Sequence, residues 1–252
     1  MRIALLLLLI ASPAQAGSFK DEQMKIARVR GAQKNVDQKL RDRFKERGLS
    51  YPPAAIFLRV FKRDKALEVW VRKDGAYALY ESYPICASSG DLGPKYEQGD
   101  GQVPEGLYTI DHFNPTSNYH LSLRVAYPNA ADVARTAARA KAAGEKAPQM
   151  GGDIYIHGSC VTIGCMPLTD PLAEEVYWLA LLAKDQGQKQ IPIHIFPTKL
   201  TDAGLSDLGT RRAPEATMAL WKQLQPFYAA FEATHKLPAF RIDKSGAYVL
   251  RN

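Results

Sequence analysis

The spacing of apolar residues changes period along the first half of the chain, and each change marks an element. Between residues 20 and 48 the sequence is rich in Lys, Arg, Asp, Glu and Gln, with Val36, Leu40 and Phe44 at a spacing of four. That pattern predicts a helix with a narrow apolar stripe, closing near Gly48. Tyr51-Pro-Pro then breaks the chain. Beyond it residues 56–62, 67–72 and 77–85 read as strands, with Lys73-Asp-Gly75 turning between the last two. The first half therefore predicts a helix packed on a β-meander.

Residues 90–106 form a long connection containing five glycines and two prolines, and a loop of that length inside a compact domain is often functional. Residues 107–112 and 119–127 return as strands. Residues 130–147 are Ala-rich and carry Arg135, Arg139, Lys141 and Lys146, which suits a surface helix or a mobile insertion, with a lid as the sharper reading. Residues 153–157 alternate again, setting Asp153, Tyr155 and His157 on one face and Ile154 and Ile156 on the other. Asp170 at an N-cap and Pro171 at the first helical position open a helix with Leu172, Val176 and Leu179 on its buried side. Gly187 ends it, residues 191–196 form a strand, and residues 214–235 form a helix carrying Leu220, Leu224 and Phe227. A short tail turns at Lys244-Ser-Gly246. No internal repeat is present.

The N-terminus adds a compartment. Arg2, the apolar run from Ala4 to Ile10 and the small-x-small triplet Ala14-Gln15-Ala16 make the three parts of a cleavable signal peptide. The run is too short to span a bilayer, and no later stretch approaches that length, so a chain that is not membrane-spanning and is exported to the periplasm is expected. The formal charge of +7 suits an anionic partner such as cell wall. No basic run interleaved with aromatics points to nucleic acid.

The chemistry gathers around residues 157–165. His157 closes a strand, and Cys165 stands eight residues on, just before a helix. Fully extended, the connection would part them by about 26 Å, but Gly158 and Gly164 let it double back. An imidazole beside a thiol is the pair that cysteine catalysis needs, the imidazole taking the proton and the thiolate attacking. A helix N-terminus just downstream would favour the thiolate. Backbone N–H groups at Gly164 and Cys165 are candidate oxyanion donors.

The segment Tyr155-Ile-His-Gly158, with Thr162-Ile-Gly-Cys165 after it, resembles the active-site signature of the YkuD-type L,D-transpeptidases, and Val103-Pro-Glu-Gly-Leu-Tyr108 resembles an upstream element of that family. Ile85-Cys86, Asp91-Leu-Gly-Pro-Lys95, Tyr119-His-Leu-Ser-Leu123, Tyr127-Pro-Asn129 and Cys160-Val-Thr-Ile-Gly-Cys165 extend the match towards the YafK-like (DpaA-like) branch. The resemblance implies an α+β, β-rich fold: a YkuD-like sandwich or barrel with an N-terminal helix, a helix after the cysteine and a C-terminal helical extension. It divides the chain into a signal peptide (1–16), an N-terminal helical segment (17–50), a catalytic domain (51–200) and the extension (201–252).

It further implies Cys165 as nucleophile, His157 as general base and Gly164 on the oxyanion loop. Thr162 falls on the family's Ser/Thr position. Tyr119 and His120 border the site, a structural hydrogen bond being the blander role for His120, and Lys95 is a candidate for an anionic group or an ordinary loop lysine. With Cys165 as the free thiol, Cys86 and Cys160 are left to form a disulfide; two free buried thiols or a Cys160–Cys165 pair are the alternatives.

The activity implied is acyl transfer at meso-diaminopimelate linkages of peptidoglycan stem peptides, without metal or organic cofactor. Three departures stand out. The His–Cys spacing is short, Ile163 replaces a second histidine, and Met166-Pro167 comes after the cysteine where a polar residue is common. The YafK-like match and the missing polar residue after Cys165 tilt the expectation from transpeptidation, which forms crosslinks or protein–peptidoglycan links, towards hydrolysis, including release of a peptidoglycan-anchored lipoprotein. Two rivals stay open: a zinc site from His157, Cys160 and Cys165, and a cell-wall-binding module without catalysis.

Overall fold

The computed structural model describes residues 18–251; the signal-peptide expectation lies outside them. The apolar stripe expected over residues 20–48 forms two helices, α1 (Phe19–Met24) and α2 (Ala27–Glu46), parted at Lys25 and Ile26. A capping box built on Ser18 starts the first. In the second, Val29, Ala32, Val36, Leu40 and Phe44 are buried at three- and four-residue steps. Phe44 meets Tyr80 of the meander with ring centroids 4.5 Å apart.

The meander is β1 (Ile56–Phe61), β2 (Ala66–Lys73) and β3 (Ala76–Pro84). Beyond it come β4 (Gly106–Asn114), β5 (Ser122–Val125), α3 (Ala130–Ala143), β6 (Tyr155–His157) and the two-residue β7 (Met166–Pro167). The remaining elements are α4 (Asp170–Asp185), β8 (Ile191–Phe196), α5 (Asp202–Gly209), α6 (Glu215–Thr234), β9 (Phe240–Ile242) and β10 (Tyr248–Leu250).

Eight strands make one mixed sheet in the order β3-β2-β1-β8-β4-β5-β6-β7, while β9 and β10 form a separate hairpin. Parallel pairing joins β1 to β8 and β6 to β7; the other neighbours are antiparallel. The sheet curls until its two edge strands meet at one corner, where Cys86 N–H, just past β3, donates to the Pro167 carbonyl of β7 at 3.0 Å. Ile56, Leu58 and Val60 on one side of β1 pack with α2 and α4 in the main core. On its other side Phe57 and Phe61 meet the C-terminal helix α6.

Three expectations change in detail. The strand expected over 119–127 is only Ser122–Val125, because His120 takes a left-handed backbone (φ 64°) that ends pairing before it. The helix after Cys165 starts from Thr169 as N-cap rather than Asp170, whose carboxylate instead accepts from Ser159 N–H at 2.7 Å. The C-terminal extension holds the additional helix α5 and ends in a β-hairpin. Its apolar residues there are too few and too short in run to declare strands.

One node ties this extension to the sheet. Glu105 is wholly buried and accepts from Trp221 Nε1 of α6 at 2.6 Å and from Gly93 N–H at 2.7 Å. Lys62 stands 3.0 Å from it and also donates to the carbonyls of Gly93 and Val103. The loop from Gly90 to Glu105, which has no strand or helix of its own, is held at both ends by this pair.

Candidate active site

Cys165 lies one residue before β7, and the sheet register decides what surrounds it. Ile156 pairs with Met166 and His157 with Pro167. Cys165 is therefore level with Tyr155 and, by strand alternation, on the same face as His157. Its thiol receives Tyr155 N–H at 3.4 Å and donates to the Asp153 carbonyl at 3.5 Å. His157 is not among its hydrogen-bond partners; the backbones of the two residues are offset by two positions along the strand direction, about 6.6 Å.

The imidazole is oriented by a different contact. His157 Nδ1 donates to the Gly158 carbonyl at 2.6 Å, since a carbonyl can only accept. That fixes the neutral tautomer with Nε2 as the proton acceptor. The Tyr119 ring lies against it, with centroids 5.0 Å apart. Burial lowers the His157 pKa, partly opposed by the bond to Gly158.

Burial also raises the pKa of the Cys165 thiol; Tyr155 N–H pulls it down, Asp153 pushes it up, and Lys95 pulls it down. The expected stabilisation of the thiolate by a helix N-terminus is not what dominates here. Residues 166–169 stand between the thiol and α4, and desolvation outweighs a dipole that acts only within the first turn. Both shifts favour the uncharged forms, thiol and imidazole. Alkylation of Cys165 by iodoacetamide should follow an apparent pKa above the ordinary thiol range, because the buried thiolate is penalised. An apparent pKa well below that range would instead indicate a preformed thiolate–imidazolium pair.

The connection between His157 and Cys165 folds back through an unusual backbone. Ser159 and Cys160 are both left-handed (φ 69° and 44°), and Gly164 adopts φ 128° with the Gln102 carbonyl closing in on it. A side chain at Gly164 would be strained by its own backbone. Gly158 is required for another reason: a Cβ there would meet the Asp170 carboxylate and the His120 side chain. The loop is anchored at Cys160, which is disulfide-bonded to Cys86. Cys165 is the free cysteine.

Thr162 organises the turn that leads into Cys165. Its hydroxyl oxygen accepts from Gly164 N–H at 3.1 Å and from Cys165 N–H at 2.7 Å, and its proton goes to the Cys165 carbonyl at 2.8 Å. Both expected donors are therefore engaged.

The other residues singled out by sequence divide. Tyr119 is half exposed beside His157. His120 turns to Glu174 of α4, its Nε2 3.0 Å from the carboxylate. Lys95 is not a solvated loop lysine but a buried one, held by Asp100 at 2.6 Å and the Glu97 carbonyl at 2.8 Å. Tyr155 N–H, the Asp153 carbonyl and the Glu105–Lys62 pair escaped sequence reasoning. The first two are backbone contacts that leave no trace in residue type, and the third joins residues far apart in sequence.

One cavity opens at Cys165, and a second begins at Asp153, whose carbonyl the thiol contacts. One, of about 200 Å³, is walled by Val60, Ile85, Leu92, Val103 and Met166 and rimmed by charged residues, with Cys165 in its lining. The other, of about 550 Å³, runs from Asp153 along residues 147–152 to Val133, Thr136 and Ala137 of α3. That helix, capped by Asn129 and by left-handed Gly144, buries Ala131, Thr136 and Ala140 and forms a wall. The zinc reading loses a ligand, since a disulfide sulfur at Cys160 is no thiolate. Among the described residues, no His, Cys, Asp and Glu cluster of three or more is placed to hold a metal.

A curled mixed sheet that presents a free cysteine and a strand-borne His-Gly beside it is the setting of a YkuD-type domain. Residues 57–195 match the L,D-transpeptidase catalytic domain (YkuD), and the chain belongs to that family of peptidoglycan-modifying enzymes. It is 33% identical over 197 residues to the putative L,D-transpeptidase YafK of Escherichia coli K12, covering 77% of this chain and 73% of that one. Among solved structures, the helical cell shape determining protein Pgp2 of Campylobacter jejuni (K307A mutant) aligns with a TM-score of 0.42 and 22% identity. That alignment covers 70% of this chain and 56% of Pgp2. Bd1075 of Bdellovibrio bacteriovorus aligns at 0.38 and 21%, covering 59% of this chain and 50% of that one. Among the described residues, no helix is long and apolar enough to cross a membrane.

Proposed function

We propose that the chain is a periplasmic cysteine amidase that cleaves amide bonds at the L-centre carbonyl of meso-diaminopimelate in peptidoglycan, releasing a peptide or an attached lipoprotein. The observation that carries the proposal is the free Cys165 thiol, lining a cavity on the face of the strand that bears His157.

In the first half-reaction His157 Nε2 takes the thiol proton, directly or through one water once substrate draws the groups together. The thiolate attacks the carbonyl carbon, and Tyr155 N–H stabilises the developing charge on sulfur until the bond forms. The tetrahedral oxyanion takes the place of the Thr162 hydroxyl on Gly164 and Cys165 N–H, donors already converged on one oxygen position. The carbon–nitrogen bond breaks, the amine leaves with the proton from His157, and a thioester remains. Water then attacks, its proton returns to His157, and a carboxyl group and the thiol are released.

Hydrolysis is favoured over transfer by the two residues after Cys165. Met166 and Pro167 are buried and apolar, so neither supplies a polar group to position an acceptor amine. Incubation with purified sacculi and subsequent muropeptide analysis test the assignment. The expected result is loss of diaminopimelate-linked amides with new free carboxyl groups. Accumulation of new diaminopimelate crosslinks would replace hydrolysis by transpeptidation.

A further inference from the structure

The smaller cavity beside Cys165 carries two opposite charges with nothing to pair with. Three cations line it, and two are committed: Lys62 to Glu105, and Arg63 to Asp207. The third, Lys65, is exposed at the turn between β1 and β2, and among the described residues its ammonium has neither a hydrogen-bond nor an ion-pair partner. Asp91 lies on the same rim; its backbone N–H is held by Gln102, while its carboxylate is likewise unpartnered. Most of the remaining lining is apolar (Val60, Ile85, Leu92, Val103 and Met166), with Ser88 and Ser89 adding two hydroxyls.

We propose that this cavity is the side-chain subsite of the acyl donor, with Lys65 and Asp91 clasping the carboxylate and ammonium of a zwitterionic amino-acid end carried on a short aliphatic chain. The inference rests on the amidase reading above and deepens it. An acyl group bound to Cys165 sends its side chain along the aliphatic walls, where methylenes lose water contact favourably. A terminal carbon bearing both –NH3⁺ and –COO⁻ then meets a cation and an anion fixed on separate elements. The free D-centre of meso-diaminopimelate has that form. Lysine, which has an equally placed ammonium but no carboxylate, leaves Lys65 unpaired. A diaminopimelate whose D-centre is amidated or already crosslinked loses one charge of the pair. The subsite thus selects stem peptides whose D-centre is free, and it does so without the polar residue that Met166-Pro167 displaces.

Both arms of the test use the full chain and synthetic stem peptides carrying the same scissile amide. The wild-type protein is compared on peptides with free meso-diaminopimelate, with its D-centre carboxylate amidated, with its D-centre amine acetylated, and with lysine in its place. A rise in KM of about tenfold is expected for each modification, with a smaller change in kcat. Lys65→Gln should raise KM by a similar factor on the free peptide, leave the carboxylate-amidated peptide unaffected, and be rescued by Lys65→Arg. Asp91→Asn should behave in the same way towards the amine-acetylated peptide. This matched non-additivity is what a merely destabilising substitution would not produce, and iodoacetamide labelling of Cys165 reports that the site is intact. Equal cleavage of all four peptides by the wild-type protein overturns the subsite and leaves the amidase reading standing. Cleavage of none overturns both.

Discussion

Cys165→Ala is expected to lower amide cleavage of stem peptides by about ten-thousandfold or more, to the level of the uncatalysed reaction plus what binding and the oxyanion loop supply. The thiol is the only protein group in the mechanism that forms a bond to carbon, and its hydrogen-bond neighbours, a backbone N–H and a backbone carbonyl, cannot substitute for it. His157→Gln should lose nearly as much, because burial leaves the thiol protonated and only the imidazole removes its proton. The double variant should be little worse than either alone, since the two act as one unit. The fold should hardly notice the alanine, which removes one sulfur from a half-buried position. The measurement is amine release together with intact-protein mass, the thioester appearing only in the wild type. Residual cleavage by Cys165→Ala within tenfold of wild type would sink the nucleophile assignment. Sacculus binding without cleavage by the wild type would favour a wall-binding module.

Glu105→Ala is expected to cost about 3–5 kcal/mol of stability, the range for removing one partner of a buried charge pair. Lys62 would be left charged and enclosed, and Trp221 Nε1 and Gly93 N–H would each lose an acceptor. Glu105→Gln keeps an acceptor for the tryptophan but not the charge for the lysine, so it should fall between. Urea unfolding monitored by tryptophan fluorescence reads both. The effect should extend to catalysis, because Gly90, Asp91, Leu92 and Val103 of the loop held by this pair line the cavity at Cys165. A loss under about 1 kcal/mol for Glu105→Ala would mean that water takes over the carboxylate's bonds and that the node is not enclosed.

Much of this architecture is legible in residue order, for reasons that differ by element. The helical stripe Val36, Leu40 and Phe44 is a local pattern set by a single buried face, and the strands over residues 56–85 are bounded by local turn signals although β1 is buried on both sides; together they predict the packed helix and the meander. The neighbourhood of Cys165 is legible because His-Gly and Gly-Cys carry backbone requirements: Gly158 abuts Asp170 and His120, and Gly164 sits at φ 128°. What sequence conceals is the side to which a polar side chain turns. His120 lies next to Tyr119, yet it pairs with Glu174 across the fold while Tyr119 covers His157. Lys95 comes after Gly-Pro in a loop and looks solvated, yet Asp100 draws it inside. Thr162, placed by the family pattern, holds both candidate oxyanion donors, an arrangement written only in backbone geometry.

The meeting of β3 and β7 bears on how the chain behaves among copies of itself. A sheet of eight strands ordinarily exposes two rows of unpaired backbone groups, and either can recruit a strand from another molecule. Here one margin is the two-residue β7, and the other is engaged at both ends: Tyr77 N–H donates to the His235 carbonyl, and Cys86 N–H donates to the Pro167 carbonyl. The disulfide between Cys86 and Cys160 fastens that corner across 74 residues of chain. Breaking it would free the seam as well as loosen the loop before Cys165. Reducing conditions should therefore favour clumping through strand addition as well as loss of activity, and a crowded cell envelope is where such edge pairing would do most harm.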